Sequence, residues 1–144
     1  MDVCCLNRPF DNQRNERIRM ESEAVLVVLN RCLFDWSLIG SEVIDYEISK
    51  TPDIERRRKA ERIISISREK VSVDDVIAAR AMEIEMLGLK PTDSLHISCA
   101  EKSAEVMLTT DADLLRLAIN NNESLKIKVM NPVGWLLNVL ESRH

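Results

Sequence analysis

Short β-rich runs alternate along this chain with stretches in which apolar residues recur every three or four positions. "DVCCL", residues 2–6, reads as a first short strand, and the polar turn "NRPFDNQ" follows it. From about Asn15 to Leu33 the apolar positions Ile18, Val25, Leu26, Leu29 and Leu33 keep helical spacing. "DWSLIG" reads as a second strand. Ser41 then caps a helix, "EVIDYEISK", that stops before Pro52, and Asp53 caps a further helix through about Glu69. In that helix Ile54, Ala60, Ile63, Ile64 and Ile66 are apolar, and "ERRRK" forms a solvated face. "KVSV" is a third strand, and "DD" opens a helix from about Val76 to Leu87 that ends at Gly88. "KPTDSLHISCAEKS" forms a helix beginning near Pro91 or Thr92, and "EVMLTT" is a fourth strand. "DADLLRLAINN" is a helix, "LKIKVMN" a fifth strand, and "PVGWLLNVLES" a closing helix with Pro132 in its first turn. This alternation predicts one α/β domain over residues 1–144, with a central parallel sheet of about five strands covered by about seven helices in three layers.

Composition narrows the function. A chain of 144 residues, 45% hydrophobic and 31% charged, can bury a single core. Its formal net charge of -4 provides no overall basic field, so contact with a polyanion must rest on a local patch or a metal ion. No apolar run is long enough to cross a bilayer and no secretory leader pattern is present, which predicts a cytoplasmic protein without a membrane partner. Cys4, Cys5, Cys32 and Cys99 form no C-x-x-C pair. The histidines are His96 and His144, so the spacing argues against structural zinc, and Cys32 and Cys99 read as core residues. With two Phe, one Tyr and two Trp, there is little aromatic surface for stacking on bases.

Carboxylates gather where strands give way to helices. Ligands of an open parallel sheet bind beyond the carboxyl ends of its strands. Asp2 on the first run, and Asp111 and Asp113 after the fourth, would lie on that edge; Glu47 and Asp93 lie on helices that follow. Converging carboxylates repel one another, and Mg²⁺ or Mn²⁺, hard cations satisfied by oxygen donors, would relieve that repulsion. Each acid also has a plain reading. Asp111, Asp113 and Asp93 suit helix starts without any metal. Glu42 and Asp45 share the helix of Glu47, and spacing alone leaves all three as candidate ligands. Arg8, in "LNRPF", is a candidate for holding a phosphate, although a lone loop arginine is more often an ion-pair partner. His96 reads as a packed or hydrogen-bonded core residue.

The blocks "DVCCLNRPFDNQ", "SEVIDYEI", "LKPTDSLHISCA" and "LTTDADLL", in this order, resemble the four acidic blocks of the PIN domain family, including its VapC-type toxin ribonucleases. The resemblance spans nearly the whole chain. It implies a sheet of strand order 3-2-1-4-5 and metal-dependent cleavage of RNA. It places the family's acids on Asp2, on Glu47 six positions after Ser41, on Asp93 and on Asp111. Thr109 falls on a hydroxyl that helps order the site, and Asp113 resembles an auxiliary acid of some members. Cys4 stands where the family has a small polar residue. One or two divalent ions held by Asp2, Glu47, Asp93 and Asp111 would activate a water for attack on a phosphodiester. An antitoxin protein and a second copy of the chain are candidate partners beside RNA. The family also has about four apolar strand residues before the first acid, where this sequence has Met1 alone; the expectation is that the start is truncated by roughly one strand's worth of apolar residues. Two other readings compete. A non-catalytic PIN-like binding module keeps the fold, and a receiver-like signalling domain would use Asp74 with Lys126 or Lys128.

Overall fold

The computed structural model describes residues 1–142, so His144 lies outside it. Helix α1 (Val3–Asn7) runs into a 3-10 turn at Arg8–Phe10. The order then continues α2 (Glu16–Arg31), β1 (Ile39–Ser41), α3 (Glu42–Ser49), α4 (Ile54–Ile64), β2 (Glu69–Val71), α5 (Asp75–Glu85), α6 (Pro91–Ser103), β3 (Val106–Leu108), α7 (Ala112–Asn120), β4 (Lys128–Met130) and α8 (Pro132–Glu141). Most helices open on a side chain that takes up an otherwise orphaned backbone N–H, the role short polar residues fill best. Asp2, Asn15, Ser41, Asp53, Asp74, Asp111 and Asn131 each do so. Pro91 and Pro132, lacking an N–H, sit where none is needed. Gly88 takes φ 104° just beyond α5, the left-handed conformation that glycine adopts without a Cβ penalty.

The sheet departs from expectation. Among the described residues there are four strands of three residues each, in two parallel pairs: β1 with β2, and β3 with β4. The first expected strand, "DVCCL", is a helix, because the Asp2 carboxylate accepts the Cys5 N–H at 3.1 Å and starts a turn where the strand was to run. Only the Asp2 N–H keeps strand-like pairing, donating to the Leu108 carbonyl at 3.1 Å. The pairs found are the outer pairs of the order 3-2-1-4-5, with its centre left open. Among the described residues there are eight α-helices rather than about seven, and α4 ends at Ile64 rather than near Glu69.

Three apolar clusters hold these pieces together. One joins Cys5 and Leu6 of α1 to Val25, Val28 and Leu29 of α2, Ile44 and Ile48 of α3, and Leu108. A second surrounds the β3–β4 pair with Ile84, Ile97, Met107, Leu114 and Val129. A smaller third covers the β1–β2 pair with Val43, Val71, Ile77 and Cys99. Helices α5 and α6 pack against each other, as do α2 and α8.

Candidate active site

The two acids at the strand ends are joined through one hydroxyl. Thr109, fully buried directly after β3, donates its Oγ1 hydrogen to Asp2 Oδ2, and the same oxygen accepts the Asp111 N–H at 3.1 Å. Asp2 is only 6% exposed. Burial pushes its carboxyl above the ordinary carboxylate range, and the bonds from Thr109 and the Cys5 N–H pull it part of the way back. Asp111 caps α7 through Oδ1, which accepts the N–H groups of Asp113 and Leu114 at 3.0 and 3.2 Å.

Helices α3 and α6 bring in the other two acids. Asp93 lies in the first turn of α6 and accepts no hydrogen bond from the described residues. Burial raises its carboxyl first and the charge of Asp111 next; Asp2 and Glu47 add smaller repulsions, while His96 opposes them. The other three acids therefore stand within electrostatic reach of Asp93. Cys4 lies among them: burial, then the charges of Asp2, Asp111, Glu47 and Asp93, push its thiol up to about 12. Such a thiol stays protonated at neutral pH and offers no nucleophile.

Glu47 is the acid of its helix that turns inward. Its Oε1 lies 2.9 Å from Nε2 of the buried His96. Glu42 instead accepts the Val73 N–H, and Asp45 pairs with Lys70. His96, read from sequence as a core residue, is thus both buried and the partner of a candidate ligand. Its position three residues after Asp93 on α6 was the available signal. Asp113 does not join the group: it is exposed and pairs with Arg116 at 3.2 Å. Arg8 is committed elsewhere, to Glu21 at 2.9 Å and Asp11 at 3.0 Å. The arginine that reaches the acids' rim is Arg17, which was not singled out from the sequence. It is bound to Glu21 at 3.4 Å and touches the Thr110 carbonyl at 3.5 Å, next to Asp111. A basic residue one turn before the buried Glu21 was the only clue to it.

The donor chemistry suits a hard divalent cation: four carboxylates, of which Asp2 is raised by burial and Asp93 by burial and the neighbouring acids. The Thr110 hydroxyl beside Asp111 is also buried without a hydrogen-bond partner. As arranged, no three His, Cys, Asp or Glu side chains among the described residues stand close enough to enclose a metal. Glu47 rests on His96 and both Asp2 oxygens are engaged, so a cation would have to draw Glu47 inward.

Among the described residues, no helix is long and apolar enough to cross a membrane. Comparison with known protein families matches residues 16–120 to the PIN domain, a span that contains Glu47, Asp93, Thr109 and Asp111 and begins after Asp2. No curated protein and no solved structure matches the chain.

Proposed function

The chain belongs to the PIN domain family, and on that premise we propose that it is an Mg²⁺- or Mn²⁺-dependent endoribonuclease that hydrolyses RNA phosphodiester bonds in the cytoplasm. The family is generally one of nucleases, which sets aside a receiver-like role for Asp74; that residue caps α5 and pairs with Lys102. What supports the metal-dependent reading is one observation: the charges of Asp2, Glu47, Asp93 and Asp111, distant in sequence, all reach the half-buried Cys4, and Thr109 joins Asp2 to Asp111. Those four residues would hold the ion. When bound, the ion supplies the acidity that makes water a nucleophile at neutral pH and offsets charge on the leaving oxygen.

The chain's own groups do the rest. The Asp93 carboxylate accepts no hydrogen bond among the described residues and is available. Thr109 fixes the spacing of Asp2 and Asp111, and His96 holds Glu47 in reserve. Arg17, more than half exposed at the rim, is placed to receive a phosphate that a chain of net charge -4 would otherwise repel. Within this reading the protein is the toxin of a toxin-antitoxin pair, with an antitoxin protein and a second copy of itself as partners.

The test is RNA cleavage by purified protein with Mg²⁺ or Mn²⁺, and Asp93→Asn as the control. Cleavage that requires the ion and drops at least about 100-fold in the variant is expected, the scale of losing a group that acts only in the transition state. A variant that cuts as fast as the parent overturns the assignment. The engagement of Glu47 by His96 favours one second reading, a non-catalytic RNA-binding module. RNA retention without cleavage, unchanged in Asp93→Asn, would select it.

A further inference from the structure

Among the described residues three aromatic rings carry a cation. Arg31 lies over Trp36 at 4.4 Å, Lys59 over Phe10 at 4.9 Å and Lys50 over Tyr46 at 5.2 Å, all close enough for a ring face to attract the charge. Two of these pairs are closed. Arg31 is held by Asp35, and Trp36 meets Trp135 edge to face with centroids 5.1 Å apart. Lys59 is held by Glu55 at 3.4 Å, and Phe10 is half-buried. The third pair is open. The Tyr46 ring is 63% exposed, and the acids that share its helix are committed elsewhere: Glu47 to His96, Asp45 to Lys70 and Glu42 to the Val73 N–H. No carboxylate among the described residues therefore neutralises the exposed Lys50 ammonium.

This open pair borders the acids. Tyr46 directly precedes Glu47, and the Lys50 N–H donates to the Glu47 carbonyl at 3.1 Å, one turn further on. Successive helical residues are rotated by about 100°, so Tyr46, Lys50 and Glu47 follow one another around α3 in that order within about 100°. The acids add negative charge to a chain whose net charge is already -4, so a polyanion that crosses them needs cations along its path. Arg17, at the Thr110 carbonyl, is the cation beside Asp111. Lys50 is the cation beside Glu47. A single exposed ring is ordinary on a protein surface. An exposed ring paired with an unneutralised ammonium is what a nucleic-acid strand uses, with a π face for a base and a charge for its phosphate.

We propose that Tyr46 and Lys50 form a base-and-phosphate clamp that positions the RNA strand beside Glu47. The ring stacks one base, and the ammonium turns from the ring to the phosphate of that nucleotide. For the lysine this exchanges a cation–π contact, weak at an exposed site, for a charge-assisted bond. The clamp rests on the RNA-cleaving function proposed above and adds to it the two residues that set the strand's register: the base seated on Tyr46 decides which phosphate lies over the acids. Stacking tolerates every base, so the clamp places the strand without choosing its sequence.

The experiment compares the parent with Tyr46→Phe, Tyr46→Ala and Lys50→Gln. Binding of a short fluorescein-labelled single-stranded RNA is followed by anisotropy in chelator at several salt concentrations, and cleavage with Mn²⁺ is measured separately. Tyr46→Ala is expected to bind at least about fivefold more weakly, the lower end of what one stacked base contributes, and Tyr46→Phe to stay within about twofold of the parent. Lys50→Gln should reduce the slope of log Kd against log salt by about 0.7, the share of one phosphate on a single strand, while Tyr46→Ala keeps the parent slope. A structural role alone would lower melting temperatures and produce neither the contrast between Phe and Ala nor the change of slope. In cleavage, Tyr46→Ala should raise KM more than it lowers kcat. An abasic nucleotide walked along the RNA should raise the parent's KM at one position relative to the cut and leave Tyr46→Ala unaffected there. Parent-like binding by Tyr46→Ala, or a parent-like salt slope in Lys50→Gln, overturns the clamp even where cleavage is metal-dependent. So does a parent that does not bind RNA in chelator. RNA held through Tyr46 without any cleavage supports the clamp and overturns the nuclease assignment instead.

Discussion

Thr109→Val removes one hydroxyl while nearly preserving shape, and the structure sets the size of the loss. The Thr109 oxygen serves two groups: it donates to the buried Asp2 carboxylate and accepts the Asp111 N–H. A hydrogen bond to a charged group contributes about 1.5–3 kcal/mol, and a partly buried N–H left without an acceptor costs about 1 kcal/mol more. The new methyl group returns up to about 1 kcal/mol of apolar burial. The net expectation is a loss of about 1.5–4 kcal/mol at pH 7, measured by urea unfolding without metal. Thr109→Ser keeps the hydroxyl and gives up one buried methyl, at about 1 kcal/mol. The valine deficit also depends on pH. The Thr109 bond pulls down the Asp2 carboxyl that burial raises, so removing it moves the folded-state pKa further up while the unfolded value stays put. The deficit is therefore fully expressed where Asp2 is ionised in both proteins and shrinks as pH falls through the variant's folded pKa. Equal losses for valine and serine, or a valine deficit that does not change with pH, would refute the two-sided role given to this hydroxyl.

Two further expectations rest on stability alone. Asp93→Asn should melt at or above the parent temperature at neutral pH in chelator. Burial and then Asp111 raise the Asp93 carboxyl, so its ionised form costs the fold stability above that raised pKa, and the parent recovers this stability as pH falls through it. The variant should lose this gain on acidification, and a clear drop in its melting temperature at pH 7 would show that the carboxylate is structural. Glu21→Ala should destabilise the protein by about 2–4 kcal/mol in urea. It removes a buried carboxylate that holds Arg8, Arg17 and the Asn131 amide, and the exposure of Arg17 tempers the cost. Glu21→Gln, which still offers an acceptor, should fall between, and a loss under about 0.5 kcal/mol for the alanine variant would count against the clamp.

Much of the framework could be read from short polar residues before apolar runs. Ser41, Asp53 and the Asp74–Asp75 pair mark helix starts because few side chains can reach back to a free N–H, and the structure has caps at Ser41, Asp53 and Asp74. The strands were harder. "DVCCL" is rich in strand-forming types, yet its identity was decided by the carboxylate at its head and by the contact with Leu108, a tertiary partner that no local pattern encodes. The inward turn of Glu47 in place of Glu42 or Asp45 is a matter of helical phase relative to α6, which spacing within one helix left open. Arg8 and Asp113 illustrate the opposite limit: both have charge suited to a site, and both are held by nearer partners of opposite sign.

The bond between Thr109 and Asp2 joins residues 107 positions apart, and that separation has a consequence for when the site comes into being. The cluster around β3 and β4 draws only on residues from Ile84 to Val129, so its contacts close modest loops and can form as one cooperative unit. Asp2 is synthesised well before Thr109 and lacks this partner until β3 has been made and has docked beside it. During synthesis the acids are scattered along the nascent chain, and repulsion among them arises only as the elements that carry them dock. A growing polypeptide of this kind carries its charged centre as separate parts until the segment around β3 has been made.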